Sequence, residues 1–377
     1  MNEGMHVEVI TRHAVRNYGS VLQAFATKLL LAEAGADPRF VDYRQPGYDD
    51  TGWSVANRGS MRGKSWPLRA AYAGLRDAGT RRIGRAFQSF VDAELTVTDR
   101  VYRSLPELER STEFSGSAYY CAGSDQVWNV EYNVDNRPYY LDFAPRGARK
   151  FSLASSIGAA SLPPDEERRL VDALQRFAGV SVREQDAAEY LHALGVGVEQ
   201  HVDPTLAISA DTWRTFAGPS TVGAPYIAVY QLNEMDGFRD VVDVVSSRLG
   251  LPVKRIEYWR GPRSRHHPSE ILPTVLGFVA LIRDSAFVVT DSFHGSVFAT
   301  QFGRPFVAVA PPRYAGRISS LLDLIGEPQR LVQDADQGAG VATGSSLPAT
   351  ASIVLEREQG RVREYLGRIV GTRPTAQ

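Results

Sequence analysis

Hydrophobic positions in the first half of the chain follow two alternating patterns, short apolar runs and longer segments with apolar residues at helical spacing. The first apolar run is His6–Thr11, and the helical pattern that begins at Val21 stops at Gly35. Further strands are predicted at Arg39–Tyr43, Ser117–Gly123, Arg149–Ser156 and Ala178–Glu184, and further helices at Asp165–Phe177 and Gln185–Leu194. Strands separated by helices are typical of βαβ units, so this half predicts a mostly parallel sheet with helices on both faces.

A similar series in the second half predicts another α/β domain. Its strands are predicted at Pro225–Leu232, Pro252–Trp259, Phe287–Ser292 and Arg304–Ala310, and its helices at Asp236–Arg248, Pro268–Asp284 and Gly295–Phe302. The polar stretch Ser209–Ala224 is the predicted linker, and the Gly/Ala/Ser-rich Asp334–Thr350 is a predicted loop. Ile353–Ile369 has the pattern of a charged amphipathic helix that packs on the first domain. We therefore predict two Rossmann-like domains, residues 1–208 and 225–333, whose parallel sheets face a central cleft.

The alternating pattern breaks in an insertion between Gln45 and Arg110, which is rich in Gly, Ser, Arg and Trp. Its central basic residues are Arg58, Arg62, Lys64, Arg69, Arg76, Arg81, Arg82 and Arg85. Between Arg58 and Arg85, Asp77 is the one acidic residue. Such charge runs are usually solvated helix faces. The alternative is a basic, aromatic-flanked flap that contacts an anionic acceptor or an anionic membrane surface, and the sequence leaves both open.

Charge balance and cysteine content exclude several classes of function. The 377 residues include 42 Lys and Arg against 43 Asp and Glu, a formal net charge of −1 that argues against bulk nucleic-acid binding. Cys121 is the single cysteine, which excludes an intramolecular disulfide and a thiolate zinc site and fits a reducing compartment. No signal-peptide pattern is visible, and the most apolar stretch, Ile271–Ile282, is too short to span a bilayer. We expect a cytoplasmic protein.

Polar residues directly after the predicted strands are the first candidates for a functional site, because open parallel sheets bind ligands outside the carboxyl ends of their strands. The strongest candidate is Thr290–Ser296, which lies directly between a predicted strand and a predicted helix. Here the amides of Gly295 and Ser296 stand at a helix N-terminus and suit an anion. The imidazole of His294 suits general acid and base catalysis. The alternative is a capped helix with a structural histidine.

Arginines mark two more strand ends. Arg183 can hold a carboxylate or a phosphate through two parallel hydrogen bonds, or it can pair with Glu184 or Asp186 at the surface. After the strand Arg304–Ala310, Arg313 and Arg317 offer guanidinium groups to an anionic ligand or to solvent.

Small and polar residues mark two further candidate positions. The turn Gly123–Asn129 carries Asp125 and Gln126, which suit the binding of sugar hydroxyls or the capping of a turn. Asn17 and Tyr18 stand directly before the first predicted helix and leave the same two alternatives open.

The remaining histidines predict no metal centre. His201–Thr205 is interpreted as a strand exit that stops at a proline, and the pair His266 and His267 as a solvent-exposed loop. HExxH, GxSxG, Walker A and GxGxxG strings do not occur, which removes the zincin, hydrolase-elbow, P-loop and dinucleotide interpretations.

Taken together and in order, these motifs resemble the polysaccharide pyruvyl transferase family from about residue 11 to 333. The strings are NYGSVLQAFA (17–26), GSDQVWN (123–129), SVREQD (181–186), DPT (203–205), TDSFHGSVFA (290–299), GRPFVAV (303–309) and RISSLLDLIG (317–326). The insertion and the tail after Asp334 fall outside them. Where many members of that family carry arginine, this chain has Ser292.

The resemblance implies a GT-B-like pair of Rossmann domains and transfer of the pyruvyl group of phosphoenolpyruvate onto two sugar hydroxyls, giving a cyclic ketal in cell-surface or exopolysaccharide biosynthesis. It implies that His294 is the catalytic acid and base and that Arg183 is a ligand of the donor anion. The other expected donor-binding residues are Ser292, Gly295, Ser296 and either Arg313 or Arg317. The expected acceptor-binding residues are Asn17, Tyr18, Asp125 and Gln126. No metal or cofactor is expected besides the donor substrate.

Two other functions remain open at this stage. One is a nucleotide-sugar glycosyltransferase of the same architecture, because a fold does not fix the chemistry. The other is a non-catalytic subunit of a polysaccharide-assembly complex. The sequence also leaves open whether the acceptor is a free sugar, a lipid-linked saccharide or a polymer. A lipid-linked acceptor would explain peripheral membrane contact through the insertion.

Overall fold

The chain folds into two compact units. The computed structural model describes residues 5–45, 65–220, 223–233, 235–257, 270–271, 273–309, 312–342 and 347–371, with side chains omitted at 72–83, 270 and 312–314. The first unit comprises Met1–Ala207 and Gly360–Gln377, and the second comprises Ile208–Gln359.

The first unit is built on a four-stranded parallel sheet in the order β2-β1-β3-β4. The strands of the first unit are β1 Met5–Ile10, β2 Ala36–Phe40, β3 Tyr119–Ala122, β4 Arg149–Ser152, β5 Ser181–Val182 and β6 Glu199–Gln200. Its helices are α1 Tyr18–Glu33, α2 Trp66–Glu94, α3 Leu105–Glu109, the 3-10 turn Arg137–Tyr140, α4 Pro164–Leu174, α5 Gln185–Ala193 and α6 Pro204–Ala207. Strands β5 and β6 pair in parallel, and single bridges at Phe151–Gly179 and Ser155–Val182 join them to the β4 side.

The second unit is built on a five-stranded parallel sheet. Its elements are α7 Ala210–Ala217, β7 Ile227–Tyr230, α8 Phe238–Leu249, β8 Val253–Ile256, β9 Glu270–Ile271, α9 Val275–Arg283, β10 Phe287–Thr290, α10 Phe293–Gln301, β11 Phe306–Ala308, α11 Pro312–Leu324, the 3-10 turn Pro328–Arg330 and α12 Ala335–Ala342. The strand order is β11-β10-β7-β8-β9. The central strands β7 and β10 are buried along their whole length, as strands covered on both faces must be.

The last helix, α13 (Ala349–Val370), begins in the second unit and ends in the first. In the first unit, the hydroxyl of Tyr365 donates a hydrogen bond to the Ser152 carbonyl at 2.7 Å. Gly179 makes room for this helix, because a Cβ there would lie 2.7 Å from Ile369 and 2.9 Å from the Tyr365 hydroxyl. A glycine is therefore needed where the helix packs on the sheet.

Three predictions of secondary structure are wrong, and one kind of signal explains all three. The predicted linker Ser209–Ala224 contains α7, and the predicted loop Asp334–Thr350 contains α12. The long helix predicted at Pro268–Asp284 starts only at Val275, after the short strand β9. Each helix begins after a capping side chain: Ser209 accepts from Thr212, Thr274 from Gly277, and Asp334 from Gln337. The N-caps of α7 and α12 outweigh their short or weak apolar patterns, whereas Thr274 sets the start of the strongly apolar α9.

The longest described element of the insertion is the helix α2, which confirms a helical segment within Gln45–Arg110. Its second half packs on α1, with the Phe87 ring 5.0 Å from Tyr18 and the Phe90 ring 5.5 Å from Phe25. Arg58, Arg62 and Lys64, and the side chains of Arg76, Arg81 and Arg82, lie outside the described residues. Within the described ranges, every helix is too short or too polar to cross a membrane.

Trp213 provides a test of whether α7 belongs to the core of the second unit. Its side chain is fully buried and contacts the Phe298 ring edge-on at 5.1 Å. We expect Trp213→Ala to lower the free energy of unfolding by about 3–5 kcal/mol, because a large side chain leaves a cavity. Trp66 is 68% exposed, so Trp66→Ala should change it by less than about 0.5 kcal/mol. Urea unfolding followed by circular dichroism measures both, and equal effects would contradict a core role for α7.

Candidate functional site

In the first unit, the strand order reverses between β1 and β3, and the polar residues after these two strands are tied together. The hydroxyl of Thr11 donates to the Ser124 carbonyl at 2.7 Å, and the amide of Gly123 donates to the Ile10 carbonyl at 2.9 Å. A Cβ at Gly123 would lie 2.9 Å from the Thr11 Cβ, so only glycine allows this approach. In parallel sheets such a reversal point is where ligands bind.

Asp125 lies at this reversal point in a strained conformation. Its φ is 76°, a region that residues other than glycine rarely occupy. The hydroxyl of Ser20 donates to its Oδ2 at 2.6 Å, and the amide of Gln126 donates to its Oδ1 at 2.8 Å. Backbone strain of this kind concentrates at functional sites. The structure thus holds Asp125 between the end of β3 and the start of α1.

Gln126 packs over a glycine. Gly158 has a φ of 67°, and a Cβ there would lie 2.5 Å from Nδ2 of Asn129 and 2.9 Å from the Gln126 side chain. The side chain of Asn129 donates to Oε1 of Gln126 at 3.4 Å. The predicted role of Asp125 and Gln126 in acceptor binding stays a prediction, and the structure supplies a fixed geometry for both.

Asn17 and Tyr18 have structural roles in the fold. Oδ1 of Asn17 accepts hydrogen bonds from the amides of Gly19 at 2.9 Å and Ser20 at 3.3 Å, so Asn17 is the N-cap of α1. The side chain of Tyr18 is fully buried and packs against Phe87. Contacts of these two residues with an acceptor stay a prediction.

Arg183 follows β5 and lies in a buried ion-pair cluster. Its Nε donates to Glu184 at 2.9 Å and its Nη1 donates to Asp203 at 2.7 Å. Its side chain is only 3% exposed. The pairing with Glu184 that the sequence offered as an alternative is therefore present, but in the interior rather than at the surface. The carboxylate of Asp186 instead accepts from the Ala187 amide.

Electrostatics keep Arg183 charged. Burial acts to lower its pKa, but the carboxylates of Glu184, Asp203 and Asp125 outweigh it and raise the pKa above its ordinary value. Asp203 in turn accepts from the amide and the hydroxyl of Thr205 at 2.9 and 2.6 Å. The cluster fixes the segment that follows β6, and binding of a donor anion by Arg183 stays a prediction.

His201 is a core residue of the same unit. Its Nδ1 lies 2.9 Å from the Ser181 hydroxyl, and its ring lies 4.8 Å from the ring of Tyr365. Burial lowers the pKa of His201 from 6.5 to about 4, although Glu199 acts in the opposite direction. The imidazole is therefore neutral at physiological pH, in keeping with the interpretation of His201–Thr205 as a strand exit.

In the second unit, the strand order reverses between β7 and β10, and the carboxylate of Asp291 bridges the reversal point. Its oxygens accept from the amides of Leu232 at 2.6 Å and Asn233 at 2.7 Å, and from Nδ2 of Asn233 at 3.0 Å. Burial raises the pKa of Asp291 even though these donors act to lower it. Asp291 lies in the candidate segment Thr290–Ser296, but the sequence patterns assigned no binding or catalytic role to it or to Asn233. Their positions directly after two strands were the signal that could have found them.

The start of α10 is capped from within the helix. The amide of Gly295 donates to the Ser292 hydroxyl at 3.3 Å, and the amide of Ser296 donates to the Ser292 carbonyl at 3.0 Å. Both amides are therefore engaged within the first turn of α10, and anion binding by them stays a prediction. A Cβ at Gly295 would lie 2.3 Å from Oγ1 of Thr290, so glycine is needed here for close packing.

His294 occupies the second position of α10 and is 6% exposed. Its ring meets the Phe293 ring edge-on at 5.1 Å, and the guanidinium of Arg317 lies 5.9 Å from the centre of that same ring. The structure thus brings Arg317 and His294 to one aromatic side chain at the reversal point. Arg313 lies in the first turn of α11, and its side chain is outside the described residues.

Metal-ligating side chains do not cluster in the part of the chain that the structure describes: no group of three or more His, Cys, Asp or Glu there could hold an ion. His266 and His267 lie outside that part. The site is therefore described by hydrogen bonds, guanidinium groups and one imidazole.

Comparison with solved structures identifies the fold class. The structure of S. aureus MnaA with UDP superposes with a TM-score of 0.51 at 10% identity, over 99% of this chain and 100% of that chain. The UDP-GlcNAc 2-epimerase of Methanocaldococcus jannaschii also gives 0.51 at 10% identity, over 96% and 99%. Identities this low show the fold alone. The predicted fold class is confirmed: an α/β protein of the GT-B class with parallel sheets.

The sequence itself matches a family. The model of the polysaccharide pyruvyl transferase family matches residues 17–312, well over half of the chain. No curated protein sequence gave a match. The chain belongs to the polysaccharide pyruvyl transferase family, as its motifs predicted.

The capping role of Asn17 predicts a specific pattern of stability. We expect Asn17→Ala to lower the free energy of unfolding by about 1 kcal/mol, because two amides of α1 lose their acceptor. Asn17→Ser should retain most of it, since serine is also a good N-cap. Thermal and urea unfolding measure both variants. Equal stability of Asn17→Ala and the wild type would contradict this assignment.

Acid sensitivity of the first unit follows from His201. Between pH 6.5 and 4 the unfolded chain binds a proton at this residue that the folded chain does not, so stability is lost as the pH falls through this window. The loss reaches at most about 3 kcal/mol. We expect His201→Gln, which keeps a partner for Ser181, to flatten the pH dependence of unfolding. The exposed His192→Gln is the matched control, and an unchanged slope in His201→Gln would argue against this cause.

Proposed function

We propose that this protein transfers the pyruvyl group of phosphoenolpyruvate onto two hydroxyls of a sugar, forming a cyclic ketal and releasing inorganic phosphate. The observation that carries the proposal is the position of His294, in the family motif, at the reversal point of the second sheet. An imidazole can serve as a general acid and then as a general base in catalysis. The proposed setting is cytoplasmic synthesis of a cell-surface or secreted polysaccharide.

The donor has two anionic groups, a carboxylate and a phosphate, and the proposal assigns it to the second unit. The guanidinium of Arg317, close to Phe293, supports an anion contact beside His294. Arg313 remains a proposed second ligand. Ser292, Gly295 and Ser296 are proposed to position His294 by forming the first turn of α10, since their own hydrogen bonds lie within that turn.

The proposed reaction balances in protons and bonds. His294 donates a proton to the methylene carbon, C3, which leaves an oxocarbenium-like C2. A sugar hydroxyl attacks C2 and its proton passes to the imidazole. The C2–O bond to phosphate then breaks, and the second hydroxyl closes the ketal, with its proton leaving on phosphate. Each hydroxyl thus loses one proton. In the overall balance, one proton is retained in the new methyl group and the other leaves on phosphate. The proposed reaction needs neither a metal nor a redox cofactor.

The acceptor is assigned to the first unit. Asp125 and Gln126 are proposed to hold the acceptor hydroxyls. The support is the strained backbone of Asp125 at a reversal point, and its anchoring by the Ser20 hydroxyl. Arg183 is retained as a donor-anion ligand only as a secondary proposal, because its guanidinium already pairs with two carboxylates. A positioning role, holding Asp203 and Glu184, accounts for its contacts.

Phosphate release from phosphoenolpyruvate, assayed with a panel of aryl glycosides, tests the proposed role of His294. We expect His294→Ala and His294→Gln to reduce the rate about 10²–10⁴-fold, the usual contribution of a general acid–base group. His192→Ala, an exposed histidine of the first unit, should leave the rate unchanged. Wild-type rates in folded His294 variants would remove this residue from the mechanism.

A thermal-shift series separates the proposal from nucleotide-sugar glycosyl transfer. Phosphoenolpyruvate should raise the melting temperature of the wild type, because a ligand that binds only the folded state stabilises it. UDP- and GDP-sugars should leave it unchanged. Stabilisation by nucleotides but not by phosphoenolpyruvate would reverse the choice between the two functions.

A further inference from the structure

The first unit contains a cavity of about 270 Å³, and none of the residues assigned above to the proposed reaction lines it. Its walls come from Arg12–Arg16 between β1 and α1 and Tyr43–Gln45 after β2, together with Gly84, Phe87, Gln88 and Val91 on α2, Arg103 and Tyr139. These segments are far apart in the sequence, so the cavity exists only in the folded unit.

Guanidinium groups dominate the polar lining of this cavity. Arg12, Arg16, Arg44 and Arg103 all contribute to it, whereas its described lining includes no aspartate or glutamate. Guanidiniums present several N–H donors in a fixed plane, which matches the oxygens of phosphate and carboxylate. The chemistry of the lining is that of an oxyanion site.

Neighbouring groups orient two of these arginines. Nε and Nη2 of Arg44 donate to the two carboxylate oxygens of Asp42 at 2.7 and 2.8 Å. Nη1 of Arg12 donates to Oδ1 of Asn133 at 3.2 Å. Such contacts hold a guanidinium in place before a ligand arrives, which lowers the entropy cost of binding.

A glycine admits a third arginine to the wall. A Cβ at Gly84 would lie 3.1 Å from Cζ and Nε of Arg16, so glycine at this position of α2 lets the guanidinium lie against the helix. A larger side chain would displace Arg16. The helical insertion and the loop before α1 therefore build the cavity together.

The buried ring of His13 also points to a ligand in this cavity. It lines the cavity, is 1% exposed, and neither ring nitrogen makes a well-formed hydrogen bond within the described residues, although Asp42 lies 3.9 Å from Nε2. Burial, with help from Arg44, lowers the pKa of His13 to about 4 against the effects of Asp42 and Thr11, so the ring is neutral. Buried polar groups without partners are rare and need an explanation. A ligand oxygen or hydroxyl in the cavity would provide one.

The remaining wall is apolar. The side chains of Phe87 and Val91 are at least 94% buried and line the cavity beside the guanidiniums. Tyr43 and Tyr139, which meet edge-on at 5.5 Å, contribute further ring surface. The volume lies just below the range of about 300–1,000 Å³ usual for small-molecule sites. A bare anion would leave the apolar wall uncovered, whereas a sugar ring that carries the anion would cover it.

We propose that this cavity binds a glycosyl phosphate or diphosphate, with the phosphate oxygens on the guanidiniums and the sugar ring against Phe87. The acceptor would then be phosphorylated, either as a soluble sugar phosphate or as a saccharide linked to a lipid through diphosphate. As a statement about the acceptor, this inference rests on the proposed function. Binding itself requires no turnover, so the two can fail separately.

Isothermal titration calorimetry tests the inference with four probes: inorganic pyrophosphate, hexose 1-phosphates, the matching free hexoses, and a hexosyl diphosphate with a short prenyl chain. We expect pyrophosphate and the hexose phosphates to bind and the free hexoses to bind at least about tenfold more weakly, a difference of about 1.4 kcal/mol. Tighter binding of the prenyl compound would identify a lipid-linked source, and equal binding a soluble one.

Three variants assign the binding to the cavity. Arg12→Gln and the exposed Arg103→Gln should each weaken the binding of pyrophosphate and hexose phosphate about tenfold or more. Arg85→Gln is the matched control, because Arg85 is an exposed arginine of the same helix α2 that does not line the cavity. Arg103 is included because its exposed side chain can be replaced with little effect on folding.

The outcomes separate this inference from the proposed reaction. Arg12-dependent binding of hexose phosphate in a protein that releases no phosphate from phosphoenolpyruvate would support the cavity and remove the proposed function. Turnover with no such binding would overturn the inference alone. The inference would also be overturned if Arg12→Gln and Arg85→Gln weakened binding equally. It would be overturned as well if phosphoenolpyruvate competed with hexose phosphate in a way that depends on Arg12, because the cavity would then be the donor site.

Discussion

The carboxylate of Asp291 holds together the two strands of the second unit between which the strand order reverses. Asp291 follows β10, and its donors, the amides of Leu232 and Asn233, follow β7. A buried carboxylate is tolerated only where donors replace the water it has lost. The loop after β7 and the first turn of α10 are therefore fixed relative to each other, and the position of His294 depends on that link.

The first unit solves the same problem with more residues. Thr11 and Gly123 join β1 to β3, and the hydroxyl of Ser20 holds Asp125 in its strained conformation. Nearby, Arg183 and Asp203 form a buried ion pair that is costly to bury but costlier to break, since either partner alone would be an uncompensated charge. Rigid polar anchors at both reversal points suit the proposed reaction, which needs fixed groups around a charged donor.

Sequence patterns predicted the elements that are buried on both faces, and they located the strand ends where polar groups collect. They missed α7 and α12, whose short apolar patterns are reinforced by capping residues and by contacts such as Gly338 with Val241. They also could not show which polar side chains are engaged in hydrogen bonds or ion pairs within the fold. Asn17 is a helix cap, and Arg183 pairs with the adjacent Glu184 and with Asp203, which is 20 residues away in the sequence. Partners so far apart are decided by tertiary structure, not by local pattern.

The basic cavity lay furthest from what the sequence could predict, because its four arginines come from three separate segments. The sequence placed the positive charge of the insertion in Arg58–Arg85, whereas the cavity takes Arg12, Arg16, Arg44 and Arg103 from outside that run. The described part of the insertion contributes the wall of α2 and the side chains of Gln45 and Arg103. Among the described side chains, the arginines that line the cavity are thus not those of the basic run, and the packing of the unit decides which arginines meet there.

The central claim is that carbon C3 of phosphoenolpyruvate is protonated while C2 becomes the ketal carbon of a sugar. Carrying out the reaction in D₂O and analysing the acceptor product by mass spectrometry and ¹³C NMR tests this directly. We predict a product with a ketal carbon and a methyl group that carries one deuterium, formed in equal amount to phosphate. Phosphate release with an unmodified acceptor, or a product whose transferred group retains the vinyl methylene, would contradict the account.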